Sequence, residues 1–193
     1  MTIPNIFHFI NIGPRQLTYI HFLSIYSAYS LNNPEKIYLY CDHDQKDNFY
    51  WEILKDIVTV VKIETPKYFG GITLKSYQYK ADIIRMQKLI EYGGIYMDLD
   101  VLSLKPLTCF LDKNIVMGVE NSKNNNITDI KDVTSLTNAI ILSEPNNIFL
   151  KYWLSRMNEC INEDEWAYHA VKLPQIILEY HDFDVHIEPK KSF

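Results

Sequence analysis

Apolar residues fall along the chain in two textures, short continuous runs and sets at helical spacing, with turn residues between them. Ile6 to Ile12 is a run rich in Ile and Phe that stops at Gly13-Pro14 and predicts a buried strand. From Tyr19 to Tyr29, Ile20, Leu23 and Tyr26 recur at helical spacing with the small Ser27 on the same side, until Asn32-Asn33-Pro34 breaks the pattern. Lys36 to Cys41 and Ile57 to Ile63 predict two further strands, separated by a polar turn and a short helix around Phe49 to Leu54. Ser76 is placed to cap a helix that carries Ile83, Met86 and Ile90 on one face and ends at Gly93, which can take the left-handed position after a helix. Gly94 releases the chain into a strand, Ile95 to Met97, that runs directly into Asp98-Leu99-Asp100. Ile115 to Val119 and Asn138 to Leu142 predict later strands and Ile148 to Ile161 a helix, while the Asn-rich stretch Asn121 to Ser135 predicts a mobile surface loop.

Strands alternating with helices predict one α/β domain over residues 1–193, with a Rossmann-like, mostly parallel central sheet flanked by helices, because helical crossovers connect parallel strands. With 193 residues, 47% hydrophobic and 22% charged, the chain can bury a core without a disulfide or metal staple. A metal here therefore needs a chemical reason.

Charge narrows the partners. There are 19 Lys+Arg against 24 Asp+Glu, a net charge of −5, and the basic residues are dispersed, which argues against nucleic acid. Cys41, Cys109 and Cys160 are far apart and show neither zinc nor C-x-x-C spacing, which fits a reducing compartment such as the cytoplasm. The apolar start, MTIPNIFHFINIG, lacks a cationic leader and is broken by Pro4, Asn5, His8 and Asn11, so it reads as neither signal peptide nor anchor. No run approaches the ~20 apolar residues of a membrane span. Asn126-Ile127-Thr128 is a glycosylation sequon that matters only in a secretory lumen. Dinucleotide, P-loop, H-E-x-x-H and G-x-S-x-G signatures are absent.

Three Asp-x-Asp pairs occur, Asp42/Asp44, Asp98/Asp100 and Asp182/Asp184. In an extended chain residues i and i+2 share a face, so Asp98 and Asp100 would aim both carboxylates to one side and Leu99 to the other. Two carboxylates ~4 Å apart repel by about 4 kcal/mol at an effective dielectric of 20. A small hard cation, Mn²⁺ or Mg²⁺, turns that repulsion into affinity and completes its shell with water and substrate phosphates. On spacing and context alone a metal site and a structural acidic turn both stay open for this pair; the other two pairs read as solvated turns.

The residues Lys80-Ala81-Asp82-Ile83-Ile84-Arg85, then Leu89, then Gly93-Gly94-Ile95-Tyr96-Met97-Asp98-Leu99-Asp100 resemble a known signature. It is that of the DXD sugar-transferase family, which includes the initiating α-mannosyltransferases and the glucosyltransferase domains of large clostridial toxins. Ile3-Pro4-Asn5-Ile6-Phe7-His8-Phe9-Ile10 is similar to that family's first strand. The resemblance spans Ile3 to Leu107 and, more faintly, Asn138 to Leu154. It implies a GT-A type nucleotide-diphospho-sugar transferase fold, a divalent metal, and transfer of a hexose with retention from a UDP- or GDP-sugar to a glycan, lipid or protein acceptor.

Carried over by position, Asp100 would bind the metal directly and Asp98 through water, with Asp98 also meeting the donor. Tyr96 would line the donor site, Asp82 would hold donor-sugar hydroxyls, and Arg85 would meet the sugar or diphosphate. Ile10 and Tyr38 fall where the family holds base and ribose. Asn138 is a candidate polar group near the acceptor. Asn11 stands where the toxin members carry a base-stacking Trp, Lys172-Leu173-Pro174 replaces a Gly-Pro element, and the chain stops at Phe193, before the family's C-terminal lid.

Other readings compete with each assignment. Asp82 and Arg85, three apart on a helix, could be an exposed ion pair worth ~0.3–0.5 kcal/mol. Tyr96 could be an ordinary strand aromatic and His8 a satisfied core histidine; His181 and His186 around Asp184 read as a polar turn. For the whole chain, a strand ending in Asp98-Leu99-Asp100 also resembles the nucleophile motif of haloacid-dehalogenase-like phosphatases. A non-catalytic domain that binds sugar nucleotides or glycans is a further alternative.

Overall fold

The structure is a computed structural model that describes residues 2–45, 48–124, 129–161 and 167–192. The sequon at Asn126 to Thr128 lies outside the described residues. The main sheet has seven strands in the order β3-β2-β1-β6-β8-β7-β9, formed by β1 (Ile6–Asn11), β2 (Lys36–Cys41), β3 (Thr59–Lys62), β6 (Gly94–Met97), β7 (Ile115–Ser122), β8 (Val133–Ser143) and β9 (His186–Glu188). A small hairpin, β4 (Tyr68–Phe69) and β5 (Ile72–Thr73), stands apart from it. β1 pairs in parallel with β2 and β6, β2 with β3, and β7 with β9, while β8 runs antiparallel to both β6 and β7. Among the described strands of this sheet only β8 is reversed, so the expectation of a mostly parallel sheet holds.

Helices cover both faces. One core packs Phe7, Phe9, Leu39, Ile95 and Met97 of the sheet with Ile25 and Ala28 of α1 (Tyr19–Asn32) and Leu54 of α2 (Phe49–Leu54). The other packs Tyr96 and Ile141 with Ile83, Met86 and Leu89 of α3 (Tyr77–Tyr92), Phe149 and Trp153 of α4 (Ile148–Met157) and Ile177 of α5 (Leu173–Tyr180). Among the described residues no helix is long and apolar enough to cross a membrane.

Several sequence expectations need correction. α1 is present, but its buried residues are Ser24, Ile25, Ala28 and Asn32, whereas Ile20 and Tyr26 are exposed. The reason is polar: Ser24 and Asn32 bond to loops beneath the helix, and Ala28 lets it sit close to the sheet. The loop expected from Asn121 to Ser135 is shorter, because β7 and β8 pair Asn121 with Ser135 and Ser122 with Val133. α4 ends at Met157 rather than Ile161. The β4–β5 hairpin, α5 and β9 were not predicted.

Two glycines are required where β6 begins. Gly94 has φ +106°, and a Cβ there would lie 2.5 Å from the Ile6 carbonyl oxygen and 2.8 Å from His8 Nε2. Gly93 caps α3 with φ +65°, and its carbonyl accepts the Nε2–H of His8 at 2.8 Å. His8 Nδ1 accepts the Tyr40 hydroxyl at 3.0 Å, so this wholly buried histidine is a satisfied core group.

Candidate active site

The Asp98-Leu99-Asp100 segment leaves the C-terminal end of β6 next to β1, where α/β sheets leave a crevice for ligands. It is not extended: Val101 N–H bonds back to the Asp98 carbonyl at 3.1 Å and closes a turn. Asp98 and Asp100 therefore reach the same cleft through a turn, not through the pleat of a strand. Ser24 Oγ of α1 also donates to the Asp98 carbonyl, at 3.1 Å, and Asp98 N–H donates to Ala139 of β8 at 2.8 Å.

The cleft, of about 500 Å³, is lined by Ile10, Asn11, Ile12, Pro14 and Arg15 after β1, by His21, by Tyr77, Gln78, Ala81 and Arg85 of α3, and by Tyr96 to Asp100 apart from Met97. Below it lies a polar cluster. Arg85 Nη2 is 3.0 Å from Asp82 Oδ1 and 3.3 Å from Asp98 Oδ1, its guanidinium carbon lies 4.3 Å from the Tyr96 ring centroid, and its Nη1 donates to the Asn138 carbonyl. The Tyr96 hydroxyl donates to Asp98 Oδ1 at 2.5 Å, and Asn138 Nδ2 donates to Asp82 Oδ1 at 2.9 Å. His169 Nε2 meets the other oxygen, Asp82 Oδ2, at 2.9 Å.

Burial separates this cluster from the exposed helix pair weighed above: Asp82 and Arg85 are each only 5% exposed. Desolvation opposes the charge on Arg85, but Asp98, Tyr96, Asp82 and Asp100 outweigh it and hold the guanidinium above its ordinary pKa. Burial pushes the Asp98 carboxyl up, against the opposing pull of Arg85 and the Tyr96 hydroxyl. Burial likewise raises the Tyr96 phenol well above its usual range. His21, at the cleft wall, is lowered by burial and by Arg15, with Asp100 acting against both.

The structure thus gathers Ile10, Arg85, Tyr96, Asp98 and Asp100 around one cleft and sets Asp82 and Asn138 directly beneath Arg85. Tyr38 is placed elsewhere: it stacks among His8, Tyr40 and Tyr92 and does not line the cleft. The expected solvated turn at Asp42 is instead a loop anchor. Asp42 accepts Gly13 N–H at 3.0 Å, the Thr65 hydroxyl at 2.7 Å and His43 Nδ1 at 2.8 Å, contacts that outweigh its desolvation and lower its pKa. It braces the segment from which Pro14 and Arg15 reach the cleft. Gly13 (φ +83°) passes so near Tyr77 that a Cβ would come within 2.8 Å of the ring. Asn11 Nδ2 bonds the Arg15 carbonyl at 3.2 Å and Gln45 Oε1 at 3.3 Å, which locks the same segment.

Arg15, His21, Tyr77, Gln78 and His169 were missed from the sequence. Arg15 had a usable signal, since it follows the Gly-Pro break at the C-terminal end of β1, where ligands of α/β sheets bind. His169, more than eighty residues from Asp82, had none.

For a divalent ion, the donors on offer are the exposed Asp100 carboxylate and Asp98, whose Oδ1 is already engaged. Among the described residues no group of three or more His, Cys, Asp or Glu gathers to hold an ion by itself. Two hard carboxylates with remaining positions left to water and phosphate oxygens match how Mg²⁺-like ions are commonly bound.

The chain is similar to known proteins in sequence and in fold. The family described as "Glycosyltransferase sugar-binding region containing DXD motif" matches residues 24–117. The chain is 28% identical over 201 aligned positions to glucan organizing enzyme 1 of Cryptococcus neoformans var. grubii, an alignment that covers 100% of this chain and 54% of that protein. The chain thus spans about half the length of this curated relative. In fold it is similar to the PaToxG glycosyltransferase, with a TM-score of 0.67, 20% identity and coverage of 93% of this chain and 69% of that one. It is also similar to LgtC in an active-site mutant, with a TM-score of 0.55, 14% identity and coverage of 94% and 72%. Residues 24–117 thus match the sugar-binding region of the DXD-containing glycosyltransferase family, and the fold is that of GT-A glycosyltransferases.

Proposed function

We propose that this chain is a metal-dependent, retaining glycosyltransferase that moves a hexose from a UDP- or GDP-sugar to a glycan, lipid or protein acceptor. The observation that carries this reading is the buried Arg85, aimed into a cleft between Asp98 and the Tyr96 ring and beside the exposed Asp100. Breaking the bond between sugar and diphosphate develops negative charge on the leaving group. A fixed guanidinium there stabilises that charge without reorganising in the transition state.

Asp100 and Asp98 are the residues proposed to hold Mn²⁺ or Mg²⁺, which when bound would neutralise diphosphate oxygens. Ile10 is assigned to the base, Tyr96 to the wall of the donor site and Asp82 to the donor sugar, with both of its oxygens held by Asn138, Arg85 and His169 as the chain stands. Asn138, whose amide is taken by Asp82, is assigned to holding that carboxylate rather than to meeting the acceptor. Tyr38 is left out of the site because it packs in the aromatic stack. No side chain is required as a nucleophile on a front-face, oxocarbenium-like route. Three cysteines without framework spacing support a cytoplasmic setting.

The phosphatase alternative needs Asp98 to attack phosphorus, yet its Oδ1 is committed to Arg85 and Tyr96, and the matched family is a transferase. The test is calorimetry of UDP- and GDP-sugars against the chain, with and without Mn²⁺, followed by turnover with acceptors. The name of the fungal relative makes a glucan the first acceptor to try. Binding that requires both metal and one nucleotide sugar supports the transferase. Binding without turnover on any acceptor favours a non-catalytic sugar-nucleotide domain, and a folded chain that binds none overturns the reading.

A further inference from the structure

We propose that His169 is a positioning residue for transfer: it fixes the Asp82 carboxylate and, through Asp82, the orientation of Arg85 beneath the cleft. The kinetic part of this inference rests on the transferase reading; the structural part does not.

His169 is wholly buried. It comes from a π-helical turn, Tyr168–Lys172, that runs straight into α5, an irregularity of a kind often found at functional sites. Two contacts fix it. Its carbonyl accepts the Trp153 indole N–H at 2.8 Å, and its ring meets the Tyr79 ring edge-on with centroids 4.7 Å apart. The ring is thereby aimed at Asp82, with Nε2 2.9 Å from Oδ2. Since Nδ1 is buried with no partner among the described residues, Nε2 is the nitrogen whose hydrogen is used: it donates to the carboxylate.

That donation closes a chain of contacts. Asp82 Oδ1 accepts from Asn138 and Arg85 while Oδ2 accepts from His169, so both oxygens are held and the carboxylate has one orientation. Arg85 Nη2 then spans Asp82 and Asp98, and Nη1 reaches the Asn138 carbonyl. Arg85 Nε, buried, has no acceptor among the described residues, so among them the fork is oriented by its Nη atoms. Without the His169 N–H, a buried carboxylate oxygen loses its donor and the group is free to rotate, which takes the Arg85 fork with it. Small misplacements of this kind at a reacting centre cost rate more than they cost binding.

The experiment compares His169→Gln, whose amide N–H extends about as far from the backbone as Nε2–H, with His169→Asn, whose shorter amide cannot reach Oδ2, and with the apolar His169→Leu. Folding of each is checked by circular dichroism. Two readouts are taken: the ¹⁵N–¹H signal of Arg85 Nε in the chain without donor, and steady-state kinetics with the nucleotide sugar that calorimetry identifies. The expected result is an Arg85 signal that moves in the Asn and Leu variants and returns in the Gln variant. In parallel, kcat should fall about tenfold or more in Asn and Leu, with donor KM within about twofold, and recover in Gln. Equal behaviour of the Gln and Asn variants, or an unmoved Arg85 signal in a folded Asn variant, overturns the proposal. If the unmodified chain neither binds nor transfers any nucleotide sugar, the transferase reading falls and the Arg85 signal alone decides whether His169 positions the cluster.

Discussion

The hydroxyl of Ser24, on the buried side of α1, donates to the backbone carbonyl of Asp98 at 3.1 Å, and the same carbonyl accepts the Val101 N–H that closes the acidic turn. A helix on one face of the sheet thus fixes the backbone from which two carboxylates enter the cleft. Ser24→Ala should cost about 1 kcal/mol in denaturant unfolding, the usual worth of one internal hydrogen bond. Because the turn also loosens, metal-dependent donor affinity in calorimetry should fall several-fold. Lost stability with unchanged donor affinity would show that the Val101 contact alone sets the turn.

Asp98 and Asp100 should separate on mutation although they share a motif. Asp100 is exposed, so Asp100→Ala should change stability by no more than about 0.5 kcal/mol and abolish metal-dependent donor binding. Asp98 is a partner of both Arg85 and Tyr96, so Asp98→Ala strips a buried guanidinium of one of its anions. It should cost about 1–3 kcal/mol, below the figure for a fully buried pair because Asp98 stays partly open to solvent. Parallel denaturant and calorimetric titrations decide; full donor affinity in Asp100→Ala would sink the metal assignment.

Arg85→Lys keeps the charge and loses the fork. A lysine cannot span Asp82 and Asp98 while lying on the Tyr96 ring, so transfer should slow by about tenfold or more while nucleotide affinity changes little. An equal loss in kcat/KM and in calorimetric affinity would mean that Arg85 serves only ground-state binding.

How far the sequence carried this reading can be judged from two helices on opposite faces of the sheet. α3 was readable, since Ser76 caps it, Gly93 ends it, and Ile83 and Met86 mark its core side. α1 was located but turned the wrong way, because Ser24 and Asn32 are buried for hydrogen bonds that only the folded chain supplies. The site followed the same division. Asp82, Arg85, Tyr96, Asp98 and Asp100 lie within one helix-to-strand passage whose spacing is visible in one dimension. Asn138, His169 and Ser24 reach it from β8, the π-helical turn and α1, and such long-range encounters leave no local periodicity to read. Tyr38 shows the converse: a strand aromatic expected at a donor site lies in the stack around His8.

That stack makes the last prediction. Burial lowers the pKa of His8 from 6.5 to about 4, partly offset by its bond to the Gly93 carbonyl. The folded chain holds His8 neutral, while the unfolded chain takes up a proton near pH 6.5. Between pH 6.5 and about 4 the unfolded state therefore binds more protons, so the contribution of His8 to stability is complete above pH 6.5 and is lost progressively as pH falls to about 4. The loss amounts to roughly 3 kcal/mol for a shift of this size. His8→Gln, which can still donate one hydrogen bond and accept another but does not titrate, should lower stability at pH 7.5 and flatten its decline below pH 6.5. Denaturant midpoints measured from pH 7.5 to 4.5 read this directly, and an equally steep decline in both proteins would place the acid sensitivity on other groups.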